Sequence, residues 1–171
     1  MAKRKKRHEY LTSERIQTNV QRYLLQGSIY IPYNVVSSKN HQQFSYSFKK
    51  KRKVLTHSDA YNLYRDLALP YYKMQRKYFL QLVEGLPKPY VLGFYFIRYS
   101  KERWDYHNMM QGPADLIQEA GWVEDDDCTC VEIHPEGHKI DKLNQGLIIT
   151  PYEGVHFDPV LDLNHGVEKN V

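Results

Sequence analysis

The chain has 171 residues, 42% hydrophobic and 26% charged, the size of one domain and the composition of a globular chain with its own core. That balance excludes wholesale disorder, and the longest apolar stretch, Tyr90 to Ile97, is too short to cross a bilayer. The net charge of +4 conceals a division: residues 1–53 hold thirteen Lys/Arg against Glu9 and Glu14, a net of +11, whereas residues 54–171 carry a net of −7.

Most of the positive end lies in two runs, Lys3-Arg4-Lys5-Lys6-Arg7 and Lys49-Lys50-Lys51-Arg52-Lys53. Basic arms on an acidic body suit a protein that binds a polyanion and uses carboxylates; a solvated tail and a lysine-rich loop give the same pattern. No apolar segment follows the first run, so no secretory signal is expected. Cys128 and Cys130 sit too close together for an unstrained disulfide. The expectation is an intracellular, cytoplasmic chain with reduced thiols and no membrane partner.

In chain order, Glu9 to Gln26 carries apolar residues near helical spacing, with Thr12 or Ser13 as the cap and Gly27 as the stop. Ser28 to Val36 is β-branched and aromatic with Pro32 inside, which predicts an edge strand breaking into a loop. Ser37 to Lys53 is polar and basic, a loop or mobile hairpin. A second helix is predicted from Ser58, broken or kinked by Pro70 near Ala68–Leu69 and stopped by Leu86-Pro87-Lys88-Pro89. Tyr90 to Tyr99, apolar on both faces, predicts a central strand. A polar segment follows to Asn108, then a helical stretch through Ala114, Leu116, Ile117 and Ala120, closed by Gly121. Cys128 to His134 reads as a strand, Pro135-Glu136-Gly137 as a turn, and Gln145 to Pro151 as a further strand pairing with the previous one. Beyond Tyr152 periodicity is lost. The expected organisation is a basic tail and helix over 1–27, a domain over 28–152 and a tail over 153–171. Its fold class is α+β, a mixed β-sheet with packed helices.

Carboxylates cluster at two loops: Asp105 follows the long strand, and Glu124-Asp125-Asp126-Asp127 leads into the next one. Acids at two such loops suit a hard divalent cation, which prefers oxygen ligands; a solvated turn is the competing reading. Cys128, Cys130, His134 and His138 invite a zinc reading, but the C-x-C spacing departs from the usual Cys-x2–4-Cys. On a strand, Cys128, Cys130, Glu132 and His134 share one face, so ordinary packing or exposure accounts for them. Tyr30, Tyr33, Phe44 and Tyr46 flank the basic loop, where aromatics either stack on bases or edge a core. No phosphate-loop, dinucleotide or serine-hydrolase motif is present in the sequence.

The stretch Asp105 to Asp126, DYHNMMQGPADLIQEAGWVEDD, resembles the core motif of the RusA family of Holliday junction resolvases, small endodeoxyribonucleases common in prophages. That family carries D-x-D-N, an Asp eight residues after the second of those acids, and A-G-aromatic-x-x-D-D. Here Asp105, Asn108, Asp115, Ala120-Gly121-Trp122 and Asp125-Asp126 fall into the pattern without a gap. Ser38-Lys39-Asn40 is similar to the family's S-x-N loop, and Tyr64-Arg65-Asp66 to its Y-R-D, so the resemblance runs from Ser28 to Pro151. It departs in three places. His107 stands where the family has its second carboxylate, Gln111 where a lysine is often found, and Gly112-Pro113 in otherwise continuous helix.

The resemblance implies an intertwined homodimer that cuts branched DNA using Mg²⁺ or Mn²⁺. Asp105 and Asp126 would be ligands, His107 a third or substitute ligand, and Asp125 a support. Lys39, Asn40, Lys49, Lys50, Lys51, Arg52 and Lys53 would hold phosphates. An imidazole at 107 shifts metal preference away from Mg²⁺. The alternative is a catalytically impaired nucleic-acid-binding relative. With Pro113 in the first turn the helix would start only at Gly112. A helix from His107 to Ala120 would instead be ~20 Å long and part Asp105 from Asp126. Either the helix is short and the chain doubles back, or the second acid comes from a partner subunit.

Overall fold

The computed structural model describes residues 11–37, 42–47 and 52–152, and of 42–47 and 52–57 the backbone alone. Thr12 caps the first helix, α1 (Ser13–Leu24), its side chain accepting from the Arg15 N–H at 3.3 Å. Gly27, at φ 72°, turns the chain out of it, a backbone conformation that favours glycine, and Ser28 N–H closes back on the Tyr23 carbonyl at 2.9 Å. The edge strand β1 (Ile29–Pro32) follows, with Pro32 at its end where a missing donor costs least. The basic segment is a hairpin, β2 (Gln42–Ser47) against β3 (Arg52–His57), a separate two-stranded sheet whose second strand runs beyond Lys53.

Ser58 caps α2 (Asp59–Leu82) by accepting from Tyr61 N–H at 3.2 Å. Contrary to expectation, α2 runs unbroken for 24 residues through Pro70. Its buried face, Tyr61, Tyr64, Ala68, Tyr72, Gln75 and Phe79, continues at helical spacing on both sides of the proline. Pro70 and Asp66 are exposed, so water can reach the carbonyl that the proline leaves without its helical donor.

The main sheet has the order β1-β6-β4-β5. Strand β4 (Tyr90–Arg98) is internal, as its two apolar faces predict; it leads through α3 (Tyr106–Glu119) to β5 (Val131–Ile140), which lies parallel to it. Strand β6 (Gly146–Tyr152) is antiparallel to both its neighbours, β1 and β4. Three expectations for this half are corrected. Strand β5 begins at Val131 rather than Cys128, because Cys128 to Cys130 form a turn in which Cys130 N–H and Val131 N–H both reach the Asp127 carbonyl. Pro135-Glu136-Gly137 is a bulge inside β5, not a turn: Phe94 faces Pro135, Tyr95 faces Gly137, and Glu136 is the extra residue. Strand β6 pairs with β4 and β1 rather than with β5, since its buried Leu147 and Ile149 need strands on both sides, while the largely exposed β5 suits an edge.

The third helix also differs from expectation. It starts at Tyr106, well before Pro113, and passes through that residue. Gly112 and Pro113 are buried, and a Cβ at Gly112 would stand 2.9 Å from the Tyr61 ring, so this turn of α3 fits closely against α2. Leu92, Phe94, Phe96, Ile29, Ile31, Leu147 and Ile149 supply the sheet side of a core completed by α2 and α3. Among the described residues the architecture is thus α+β, a four-stranded mixed sheet and the β2–β3 pair with three helices. No helix among the described residues is long and apolar enough to cross a membrane.

Candidate functional site

Strand β4 ends at Arg98, and the chain reaches α3 through Trp104 and Asp105. Asp105 has extended geometry and caps α3, its Oδ1 accepting from His107 N–H at 2.8 Å and Asn108 N–H at 3.4 Å. The side chain is exposed, and both cap bonds go to Oδ1. His107 stands exposed in the first turn of the same helix. Asp115 lies half-buried further along it; burial first, then the Asp115 carboxylate, pushes the Tyr61 phenol up to about 12.

At the other end, Gly121 (φ 72°) turns the chain and Trp122 anchors it. The indole Nε1–H donates to the Tyr72 carbonyl at 2.8 Å and the ring stacks on Phe79 at 4.7 Å. Arg76 Nε holds the Gly121 carbonyl at 2.6 Å. Beyond this anchor Asp125 Oδ1 accepts from Gln118 Nε2 at 3.0 Å and from Asp126 N–H at 2.9 Å. Asp127 accepts from the Thr129 hydroxyl and N–H, and these bonds hold its carboxyl below the usual range. Asp126 is exposed.

Asp105 and His107 therefore share one end of α3, and Asp125 and Asp126 the other. The fourteen residues of α3 run between Asp105 and the acidic loop, about 20 Å at the usual rise. The helix is not shortened, and among the described residues no group of three or more His, Cys, Asp or Glu is placed to hold a metal ion. Asp105, His107, Asp125 and Asp126 are not gathered into one such group within one chain. The zinc grouping does not assemble either. Cys130 is buried in the turn and Cys128 exposed, His134 pairs with Glu132 at 2.8 Å, and the bulge puts His134 and His138 on opposite faces, beside Gly93 and Phe96 respectively.

The Tyr64-Arg65-Asp66 segment is structural. Tyr64 is buried, Arg65 forks onto Glu119 of α3 (Nε to Oε2 at 3.0 Å), and Asp66 is exposed. Of the expected phosphate contacts, Lys39, Asn40, Lys49, Lys50 and Lys51 lie outside the described residues. Arg52 and Lys53 open β3, opposite Ser47 and Tyr46.

The sequence reading passed over a pocket of about 420 Å³ at the segment between β4 and α3, lined by Arg98, Lys101, Glu102, Arg103, Trp104, His138 and Ile140. The Arg98 guanidinium lies 4.7 Å over the Trp104 ring and donates to the Glu102 carbonyl at 2.6 Å. Trp104 packs on Phe96 and Tyr106, and the Tyr106 hydroxyl meets His138 Nδ1 at 3.0 Å. The available signal was R-x-x-K-x-R-W directly after the strongest strand, a spacing less conspicuous than a run of five lysines and arginines. No protein-family model and no curated protein matches this sequence.

Proposed function

We propose that the chain is a divalent-metal-dependent, structure-selective endodeoxyribonuclease that acts on branched DNA as a homodimer in the cytoplasm. The observation that carries the reading is the placement of Asp105. It is an exposed acid fixed as the N-cap of α3, and the segment that leads to it from the central strand carries three cations, Arg98, Lys101 and Arg103, that line the neighbouring pocket. The order Asp105, Asn108, Asp115 and Asp125-Asp126, similar to the RusA pattern, supplies the reaction class.

One chain does not bring the acids together, so the dimer is part of the proposal. Asp105 and His107 of one subunit would stand with Asp126 of the partner subunit, and Asp125 would orient Asp126 through its backbone N–H. A bound Mg²⁺ or Mn²⁺ would supply Lewis-acid polarisation of the phosphodiester. Lys39, Asn40 and the run Lys49 to Lys53 would hold backbone phosphates without reading sequence.

The test is metal-dependent cleavage of a synthetic four-way junction. Asp105→Asn and Asp126→Asn should each abolish it while leaving junction binding intact. An equimolar re-annealed mixture of the two variants should recover part of the activity, because a mixed dimer retains one site with both acids. Parent-like cleavage by both variants would overturn the assignment. A second reading, a catalytically impaired nucleic-acid-binding protein, is favoured by His107 in the place of a carboxylate. It requires that His107→Asp gain no cleavage with either Mg²⁺ or Mn²⁺, whereas a live site should shift towards Mg²⁺.

A further inference from the structure

We propose that the pocket at the C-terminal ends of β4 and β5 is a phosphate site for one backbone unit of a nucleic acid, with Arg98 as its fixed donor and Lys101 and Arg103 as its rim. For the polymer concerned it rests on the nucleic-acid reading above; for the anion it rests on the pocket itself. Residues 54–171 are net negative, yet three of their cations fall within six positions and line one cavity together with Glu102. Arg98 is only 7% exposed and is held in place, its guanidinium over the Trp104 ring and bonded to the Glu102 carbonyl. A guanidinium held in advance loses little freedom when it meets an anion. His138 reaches the same cavity because the bulge at Glu136 turns it to the α3 face, where Tyr106 fixes its ring.

Position and size agree with this ligand. The cavity lies beyond the carboxyl ends of a parallel strand pair, where open sheets receive ligands. About 420 Å³ is room for a nucleotide unit rather than for a bare ion alone. Trp104 lines the pocket and is followed immediately in the chain by Asp105, the acid of the proposed cleavage site.

The experiment uses the full chain in EDTA, so that no cleavage is involved. Binding of a short fluorescent oligothymidylate is measured against salt for the parent, for Lys101→Gln/Arg103→Gln, and for Lys73→Gln/Lys77→Gln as an equal charge removal on α2. The pocket variant should lose about tenfold in affinity and about 0.7 of salt slope per phosphate contact, and the α2 control clearly less. Trp104 emission should change on saturation in the parent, and Trp104→Phe should abolish that change, since the other tryptophan, Trp122, is buried. Equal losses in the two double variants, or emission indifferent to the oligonucleotide, would overturn the site. If junction cleavage fails while these effects appear, only the nuclease reading falls; if cleavage succeeds while they are missing, only the pocket does.

Discussion

Tyr106 Oη stands 3.0 Å from His138 Nδ1, joining the first turn of α3 to the half of β5 beyond its bulge. Four residues along a regular strand would return His138 to the face of His134. The extra residue Glu136 reverses that parity, and His138 lies beside Phe96 on the face covered by α3. The β4–α3 junction that carries Asp105 is thereby braced from the neighbouring strand.

Asp105 has a structural role separable from any chemical one. Asparagine caps a helix about as well as aspartate, whereas alanine costs about 1 kcal/mol. Asp105→Asn should therefore unfold in urea at the parent midpoint and Asp105→Ala at a lower one. If both fall together, the charge rather than the cap sustains this turn.

Pro70 occupies an exposed turn of α2 that stays helical on both sides. Replacing it with alanine restores a donor for the Asp66 carbonyl. An interior helical proline is about 3 kcal/mol less favourable than alanine, offset by the ~1 kcal/mol that proline gains by restricting the unfolded chain. Pro70→Ala should raise stability by about 2 kcal/mol in a denaturant titration. No gain would mean that α2 is bent at this point by more than the proline.

Gly146 opens β6 where β1 passes close. An added Cβ would stand 2.7 Å from the Tyr30 ring and closer still to the Ile31 carbonyl oxygen, which belongs to the sheet backbone and cannot swing aside. At Gly93 the obstacles are the Glu136 carboxyl and the Tyr152 ring, both movable side chains. Gly146→Ala should cost about 2–3 kcal/mol and Gly93→Ala about 1 or less. Thermal unfolding of the two variants side by side checks the ranking.

Asp141 ties the loop between β5 and β6. Its carboxylate accepts from Leu143 N–H, Asn144 N–H and Asn144 Nδ2, and Asn144 Oδ1 accepts in turn from Asn19 of α1. Burial works to raise the Asp141 carboxyl, but these bonds outweigh it and hold it below its usual value. A depressed folded value means stability that is present above the unfolded value of about 3.9 and is lost as pH falls through the folded one. Asp141→Asn should be less stable than the parent near neutrality, by about 1 kcal/mol for the lost Asn144 bond. That gap should narrow as the pH drops below about 4. Unfolding temperatures measured across that range decide it; a constant gap would show that the charge is not involved.

Much of the local structure is legible in the residues themselves. Thr12, Ser58, Gly27 and Gly121 mark helix ends because capping and left-handed turns depend on neighbours a few positions away. The doubly apolar run from Tyr90 announces an interior strand for the same local reason. The positions of Asp105 and of Asp125-Asp126 between elements are likewise readable, whereas the basic segment reads as a loop or a hairpin and only the pairing of β2 with β3 decides between them.

What the residues do not carry locally is decided by contacts between distant segments. Pro70 and Pro113 read as breakers, but packing on both sides of each holds the helix through them. Strand β6 looks like the hairpin partner of β5, yet its apolar residues are buried only between β1 and β4. The pocket joins residues 98–104 to His138, and the bulge that turns His138 inward depends on the register between β4 and β5. The unbroken α3 also parts Asp105 from Asp126, because helix length is fixed by the burial of Met109, Leu116 and Ile117 against the core rather than by the propensity of Gly112-Pro113. Propensity acts over a few residues and contributes tenths to a few kcal/mol, so side-chain burial along a whole face overrides it.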